Sequence, residues 1–301
     1  MKVVLFGAGA SFGSGEVNPT IPPLGKDLFD VLARLFPSTW GQVPVGVRAE
    51  LRRNFEEGMG TLIERHGFAV APLMQRMAIF FSRFGLTTGS NNLYFRFFEF
   101  LTSNDLLKET LVSTLNYECL AEIAANLNNL QIGYFVNPVS GNQTAPIWKL
   151  HGSCNFKVAG LEATRGVSFS GVGIAFDGSI ELLNPADVRR VYLGNTALYP
   201  AMCLYAKDKP ITMAPSVIKE KQALWADEVR KAEVICAIGI RPNPDDSHIW
   251  SPIAESVGEF CYVGNKHWFK AWTSQYRADK VNLYLGDTWN SVFDKVNNHF
   301  A

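Results

Sequence analysis

Long apolar runs are missing from this 301-residue chain: none reaches the roughly 18 to 20 residues that a membrane-spanning helix requires. The apolar stretch Val3 to Phe6 is cut short by Gly7, and Glu16 arrives before any small-residue cleavage site, which excludes a signal peptide. The expectation is a soluble, cytoplasmic protein. An excess of charge of either sign is also missing, with 28 Lys plus Arg against 28 Asp plus Glu, so no general field attracts nucleic acid or an acidic membrane. Basic residues gather only as Arg52 and Arg53, Arg189 and Arg190, and Lys207, Lys209, Lys219 and Lys221, which read as solvated faces. The five cysteines, Cys119, Cys154, Cys203, Cys236 and Cys261, stand far apart without CxxC spacing; this excludes a cysteine zinc module and leaves reduced core thiols. GxxxxGK[ST], GxSxG and HExxH are all absent, so phosphoryl transfer on a phosphate loop, serine hydrolysis and zinc proteolysis lose their signatures, and the expected metal is none.

What remains, 47% hydrophobic and 19% charged, can bury a large core. Short β-branched runs alternate with helical spacings. Lys2 to Phe6, Leu111 to Leu115, Ile147 to Leu150, Ile211 to Ala214, Val234 to Ile238, Phe260 to Val263 and Val281 to Leu285 read as strands. Leu24, Leu28, Val31, Leu32 and Leu35 recur at helix spacing before Pro37, as do residues around Leu120 to Leu127, Lys219 to Lys231, Ile249 to Val257 and Trp268 to Trp272. This alternation predicts an α/β fold with a Rossmann-like, doubly wound, mostly parallel sheet in one domain over 1–301. A phenylalanine-rich helical insertion over 40–108 and a β-rich excursion over 156–205 interrupt it.

Sheets of this class bind ligands beyond the carboxyl ends of their strands. Four predicted strand ends carry small or polar residues: Gly7 to Ser11, Asn116 to Glu118, His151 to Ser153 and Gly239 to Asp246. Gly7 and Gly9 permit close approach of a pyrophosphate, or simply a tight connection. The dehydrogenase fingerprint GxGxxG fails because Phe12 holds the third glycine position, and no acidic residue ends a second strand about 20 positions on, which disfavours hydride transfer. Of the five histidines only His151 follows a predicted strand; His66, His248, His267 and His299 fall on helices or at a terminus, where surface or capping roles suffice.

Taken in order, Gly7-Ala-Gly-Ala-Ser11, Pro23-Leu-Gly-Lys-Asp-Leu-Phe29, Ser113-Thr-Leu-Asn-Tyr-Glu118, Lys149-Leu-His-Gly-Ser153 and the stretch from Ile238 to Ile249 resemble the motifs of the bacterial sirtuin-like NAD-hydrolase family. The resemblance implies NAD as substrate and Asn116 and His151 as the catalytic pair. It places Gly7, Ala8, Gly9 and Ser11, with Thr114, Ser216, Gly239 and Asp246, among the contacts to the dinucleotide. Two departures stand out: Glu118 replaces the family's aspartate, and the zinc module and phenylalanine–arginine stretch of the deacylases are missing. Their loss favours water as the acceptor, with nicotinamide and ADP-ribose as products.

By the same resemblance the chain is expected to serve antiviral defence, depleting NAD when triggered through homo-oligomerisation or a separate sensor of the Argonaute or DNA-translocase ATPase class. The helical insertion offers a candidate contact surface, unless its phenylalanines simply cover the sheet. An NAD-dependent protein deacylase or ADP-ribosyltransferase, and a non-catalytic subunit that binds NAD or ADP-ribose, remain as alternatives.

Overall fold

A computed structural model describes residues 1–66, 70–87, 91–134, 143–160, 167–170, 173–194, 198–204 and 210–301, and every structural statement below concerns these residues. The chain opens with β1 (Lys2–Phe6), a single helical turn α1 (Ala8–Phe12) and α2 (Gly25–Leu35). Four helices precede the next strand: α3 (Val45–Arg53), α4 (Phe55–His66), α5 (Val70–Phe81) and α6 (Leu93–Ser103). Then come β2 (Thr110–Thr114), α7 (Leu120–Leu127), the short strands β3 (Gln131–Ile132) and β4 (Thr144–Ala145), and β5 (Ile147–Lys149). Outside the main sheet lie β6 (Phe156–Ala159), β7 (Val167–Ser170), β8 (Gly173–Phe176), β9 (Ser179–Leu182) and α8 (Pro185–Leu193). The chain ends with α9 (Pro215–Lys231), β10 (Val234–Ile238), α10 (Ser247–Glu255), β11 (Glu259–Val263), α11 (Lys266–Tyr276), β12 (Asn282–Gly286) and α12 (Phe293–Asn298).

Six strands form one parallel sheet in the order β12-β11-β10-β1-β2-β5. The chain builds outward from β1 through β2 to β5, then returns to β1's other side and builds outward again through β10, β11 and β12. Counted along the chain, this is the 3-2-1-4-5-6 order of doubly wound sheets, and its direction reverses between β1 and β10. Successive side chains along a strand enter opposite cores because both faces of the sheet are covered. Val4, Phe6, Val112, Cys236, Ile238 and Val263 enter one core. Val3, Leu5, Leu111, Ile235, Ala237, Phe260 and Tyr262 enter the other. Buried on two sides, these strands read as continuous apolar runs.

The phenylalanines of the insertion belong to the first core: Phe80, Phe81, Phe97 and Phe98 are buried, and Phe97 packs edge-on against Phe6 of β1 at 5.8 Å between ring centroids. These four pack under the sheet, whereas Phe95 and Phe100 of the same insertion are only partly buried. Three other expectations change. Ile211 to Ala214 is not a sheet strand; Met213 makes an isolated bridge to Phe176, and Ala214 adopts φ 49° as the cap that turns the chain into α9. The 156–205 excursion also holds a helix, α8, capped by the Asn184 side chain accepting from the Ala186 N–H at 3.0 Å, with Pro185 in its first turn. Finally, Lys221 is not solvated: it is buried with its ammonium over the Trp148 ring, 4.0 Å from the centroid. Lys207, Lys209 and part of the excursion lie outside the described residues. No helix among the described residues is long and apolar enough to cross a membrane.

All five cysteines are free and buried, and folding brings four of them into pairs. Cys119 and Cys154 Sγ atoms lie 3.8 Å apart, and Cys236 and Cys261 are register partners on β10 and β11.

Candidate functional site

Register places the candidate residues. Phe6 pairs with Thr114 and Thr114 with Lys149, so the chain leaves β1, β2 and β5 at the same level. Backbone bonds continue the ladder past the strands: Leu115 N–H donates to Phe6 O at 2.9 Å, and Leu150 N–H to Thr114 O at 3.1 Å. Asn116 and His151 are therefore two residues beyond neighbouring strand ends, and Cys154 N–H donating to Tyr117 O at 2.9 Å ties their loops together.

At the reversal point the loops after β1 and β10 cross in contact. Gly9 N–H donates to Gly239 O at 2.9 Å, and a Cβ on Gly9 would sit 2.9 Å from the Gly239 Cα. Gly239 has φ 68°, and a Cβ there would overlap the backbone nitrogen of Ala10. The glycines are thus required by the approach of two backbones. Ala8, between them, is exposed.

Ser11 is almost wholly buried and its hydroxyl is fully used. It donates to Glu118 Oε1 at 2.5 Å and accepts from Asn116 Nδ2 at 2.9 Å. Its other lone pair takes the Tyr94 hydroxyl at 2.8 Å. Burial pushes the Tyr94 phenol well up, which keeps it a neutral donor. The second Glu118 oxygen accepts from Leu120 N–H at 2.6 Å, closing the first turn of α7. Glu118 is thus an internal brace: its carboxylate joins Ser11 to the start of a helix, and the extra methylene over aspartate supplies the reach.

Asn116 Nδ2 also donates to Gly7 O at 3.0 Å, and Asn116 N–H donates to Thr114 Oγ1 at 3.0 Å. Both amide hydrogens are engaged, so the half-buried carboxamide offers a ligand its carbonyl oxygen, an acceptor. Beside this, Lys149 and Glu122 form a buried ion pair at 3.1 Å, and Lys149 also donates to the Glu118 backbone carbonyl. Burial works against the Lys149 ammonium, but the facing Glu122 carboxylate together with the neighbouring Cys119, Glu118 and Cys154 outweighs it and holds the pKa above the usual lysine value.

His151 is positioned by its own backbone. Its carbonyl accepts from Cys203 N–H at 2.8 Å, and Gly152 follows at φ 77°, where a Cβ would overlap Ala201 O. Its Nε2 lies 3.0 Å from His248 Nε2 and 3.6 Å from Asp246 Oδ1, and the two rings are tilted by 48°. Asp246 and His248 sit at the start of α10, so this contact joins the β5 edge of the sheet to the loop after β10. The Nε2 pair holds one hydrogen between the rings, one donating and the other accepting.

Of the ten residues singled out in the sequence, Gly7, Ser11, Thr114 and Asn116 are joined by register and hydrogen bonds, Gly9 and Gly239 form the crossing beside them, and Asp246 meets His151. Ser216 is different. At the exposed start of α9, its hydroxyl and N–H go to the Asp177 carboxylate, outside this group. Sequence reasoning missed His248, Tyr94, Lys149 and Glu122. Only His248 left a trace, two residues after Asp246 at a strand-to-helix connection. Tyr94 lies in the insertion 83 positions from Ser11, a separation that no local pattern bridges. No protein-family model matches the chain, and no match is found among curated proteins.

Proposed function

We propose that this protein is an NAD hydrolase that cleaves the bond between nicotinamide and ribose. One observation carries the reading: Asn116 and His151, the pair singled out in the sequence, leave neighbouring parallel strands in register beyond their carboxyl ends, in a sheet whose direction reverses one strand away. Such ends are where doubly wound sheets receive nucleotides.

The chemistry asks little of an acid. Nicotinamide leaves as a neutral base because the electron pair of the C1′–N bond returns to its cationic ring; positive charge then builds on the ribose carbon. Water adds at C1′ and loses a proton, giving nicotinamide, ADP-ribose and H⁺. The Asn116 carbonyl oxygen can accept from that water or from a ribose hydroxyl, and its anchoring by Gly7 and Ser11 means that little ordering remains to be done on binding. His151 takes the proton, and its contact with His248 gives that proton a second site.

The test is mass spectrometry of the purified chain incubated with NAD, alone and with proteins encoded beside it. Nicotinamide and ADP-ribose in equal amounts are expected. Asn116→Ala and His151→Ala should each lower release by about 100-fold or more, the scale of a lost general base. Turnover of NAD at the wild-type rate in His151→Ala would remove this histidine from the reaction, and release dependent on an acylated peptide would make the protein a deacylase.

A further inference from the structure

His151 follows the edge strand β5, while Asp246 and His248 open α10 after β10, with β2 and β1 between those strands. Folding nevertheless gathers three potential metal ligands from residues up to 97 positions apart. We propose that this cluster binds one divalent transition-metal ion, zinc being the reference case, through His151 Nε2, His248 Nε2 and an Asp246 carboxylate oxygen.

Spacing is the first argument. An ion bound at about 2.0–2.2 Å by nitrogen and oxygen ligands sets tetrahedral neighbours about 3.3–3.5 Å apart. The Nε2 atoms lie 3.0 Å apart and the nearest carboxylate oxygen 3.6 Å from His151 Nε2, values that bracket that separation. All three ligand atoms lie within 4.8 Å of one another, so a small movement of one imidazole makes room for the ion.

The environment is the second. The His151 and Asp246 side chains are only 5% and 8% exposed, so a carboxylate held there gains from a cation. Two imidazoles whose Nε2 atoms face each other hold one proton between them, or one ion. Two nitrogens and one oxygen suit zinc, cobalt(II) or nickel(II), whereas calcium and magnesium favour oxygen ligands. Three protein ligands leave a fourth position open, as in catalytic rather than structural zinc sites.

Support from the backbone is the third. Cys203 N–H fixes the His151 carbonyl at 2.8 Å, and Asp246 N–H donates to Asn243 O at 3.1 Å as the chain enters α10. A second trio, Glu259, Cys261 and His299, is more open: His299 Nδ1 pairs with Glu259 Oε1 at 2.9 Å, and both side chains are 28–29% exposed. It serves as the internal comparison.

The proposed metal site shares His151 with the hydrolase reading but is tested without NAD, so either can fail alone. The untagged, metal-stripped full chain is titrated with Co²⁺, then with Zn²⁺. One Co²⁺ per chain is expected, with the ligand-field spectrum of a four- or five-coordinate nitrogen–oxygen site, no thiolate charge-transfer band, and displacement by Zn²⁺. Mutation of outer-shell partners alone lowers metal affinity about 10–100-fold, so His248→Ala, and separately Asp246→Asn, should weaken binding by about 100-fold or more. His299→Ala should leave it unchanged. Failure of the folded wild-type chain to take up stoichiometric Co²⁺ would overturn the proposal. So would a thiolate band, loss of binding in His299→Ala, or unchanged affinity in a folded His248→Ala or His248→Gln variant.

Discussion

Ser11→Ala tests the internal network that holds Asn116. The substitution removes one hydroxyl and leaves three neighbours short of a partner: Glu118 Oε1, Asn116 Nδ2 and the Tyr94 hydroxyl. Asn116 keeps Gly7 O and Glu118 keeps Leu120 N–H, so neither is orphaned. The charge-assisted bond to Glu118 is the largest loss, about 1.5–3 kcal/mol, and each neutral bond adds about 1 kcal/mol before the neighbours relax. A net loss of about 3 kcal/mol follows, because the three bonds share one atom and their energies do not add fully. At about 2 °C per kcal/mol for a chain of this size, the midpoint of thermal unfolding should fall by about 6 °C. Calorimetry of wild type, Ser11→Ala and Tyr94→Phe checks the reasoning. Tyr94→Phe removes one neutral donor and should cost about 1 kcal/mol. If Ser11→Ala melted within a degree of wild type, the network would not hold the site together. If it lost stability but released nicotinamide at the wild-type rate, the anchoring of Asn116 would be irrelevant to the chemistry.

Other consequences are as direct. Lys149→Met strands the buried Glu122 carboxylate and should cost about 3–5 kcal/mol in a urea titration, whereas a loss under 1 kcal/mol would mean that water reaches the pair. Gly239→Ala must place a Cβ against Ala10 at positive φ, so the soluble yield should collapse; a normally folded variant would show that the loops after β1 and β10 can separate. A bidentate hydrogen bond from Arg52 holds the exposed Asp30 carboxyl below its usual pKa, so the pair stabilises the fold above about pH 4 and loses that contribution as pH falls. The stability difference between wild type and Asp30→Asn should therefore shrink below about pH 4, and one that grew there would reverse the sign of the linkage. Because one Nε2 lone pair cannot hold both a metal ion and a transferred proton, Zn²⁺ should slow nicotinamide release and a chelator should restore it. Acceleration by Zn²⁺ would exclude His151 as the free base.

The parallel sheet was legible because a strand covered on both faces must be apolar throughout, and Lys2–Phe6, Thr110–Thr114, Val234–Ile238 and Glu259–Val263 are each close to that pattern. Ile211 to Ala214 has the same local pattern and fails as a sheet strand, since pairing is decided by available edges and among the described residues this segment makes only the isolated bridge from Met213 to Phe176. The start of α8 is marked locally by Asn184, Pro185 and Asp187, although the residues around it alternate as in strands. In the same way Lys221 reads as a surface cation until the Trp148 ring is brought beneath it.

By itself the sequence determined the class of fold and the strand ends that hold the candidate residues, because periodicity and chain-local turns are properties of neighbouring residues. It also marked Asn116 and His151, each directly after a strand. Only the tertiary structure decided their partners. Ser11 is separated from Tyr94 by 83 positions and from Glu118 by 107, and His151 from His248 by 97. Such contacts depend on strand order and register, which no local spacing encodes. The same separation explains why a chain with no recognisable metal motif brings two imidazoles and a carboxylate together over its sheet.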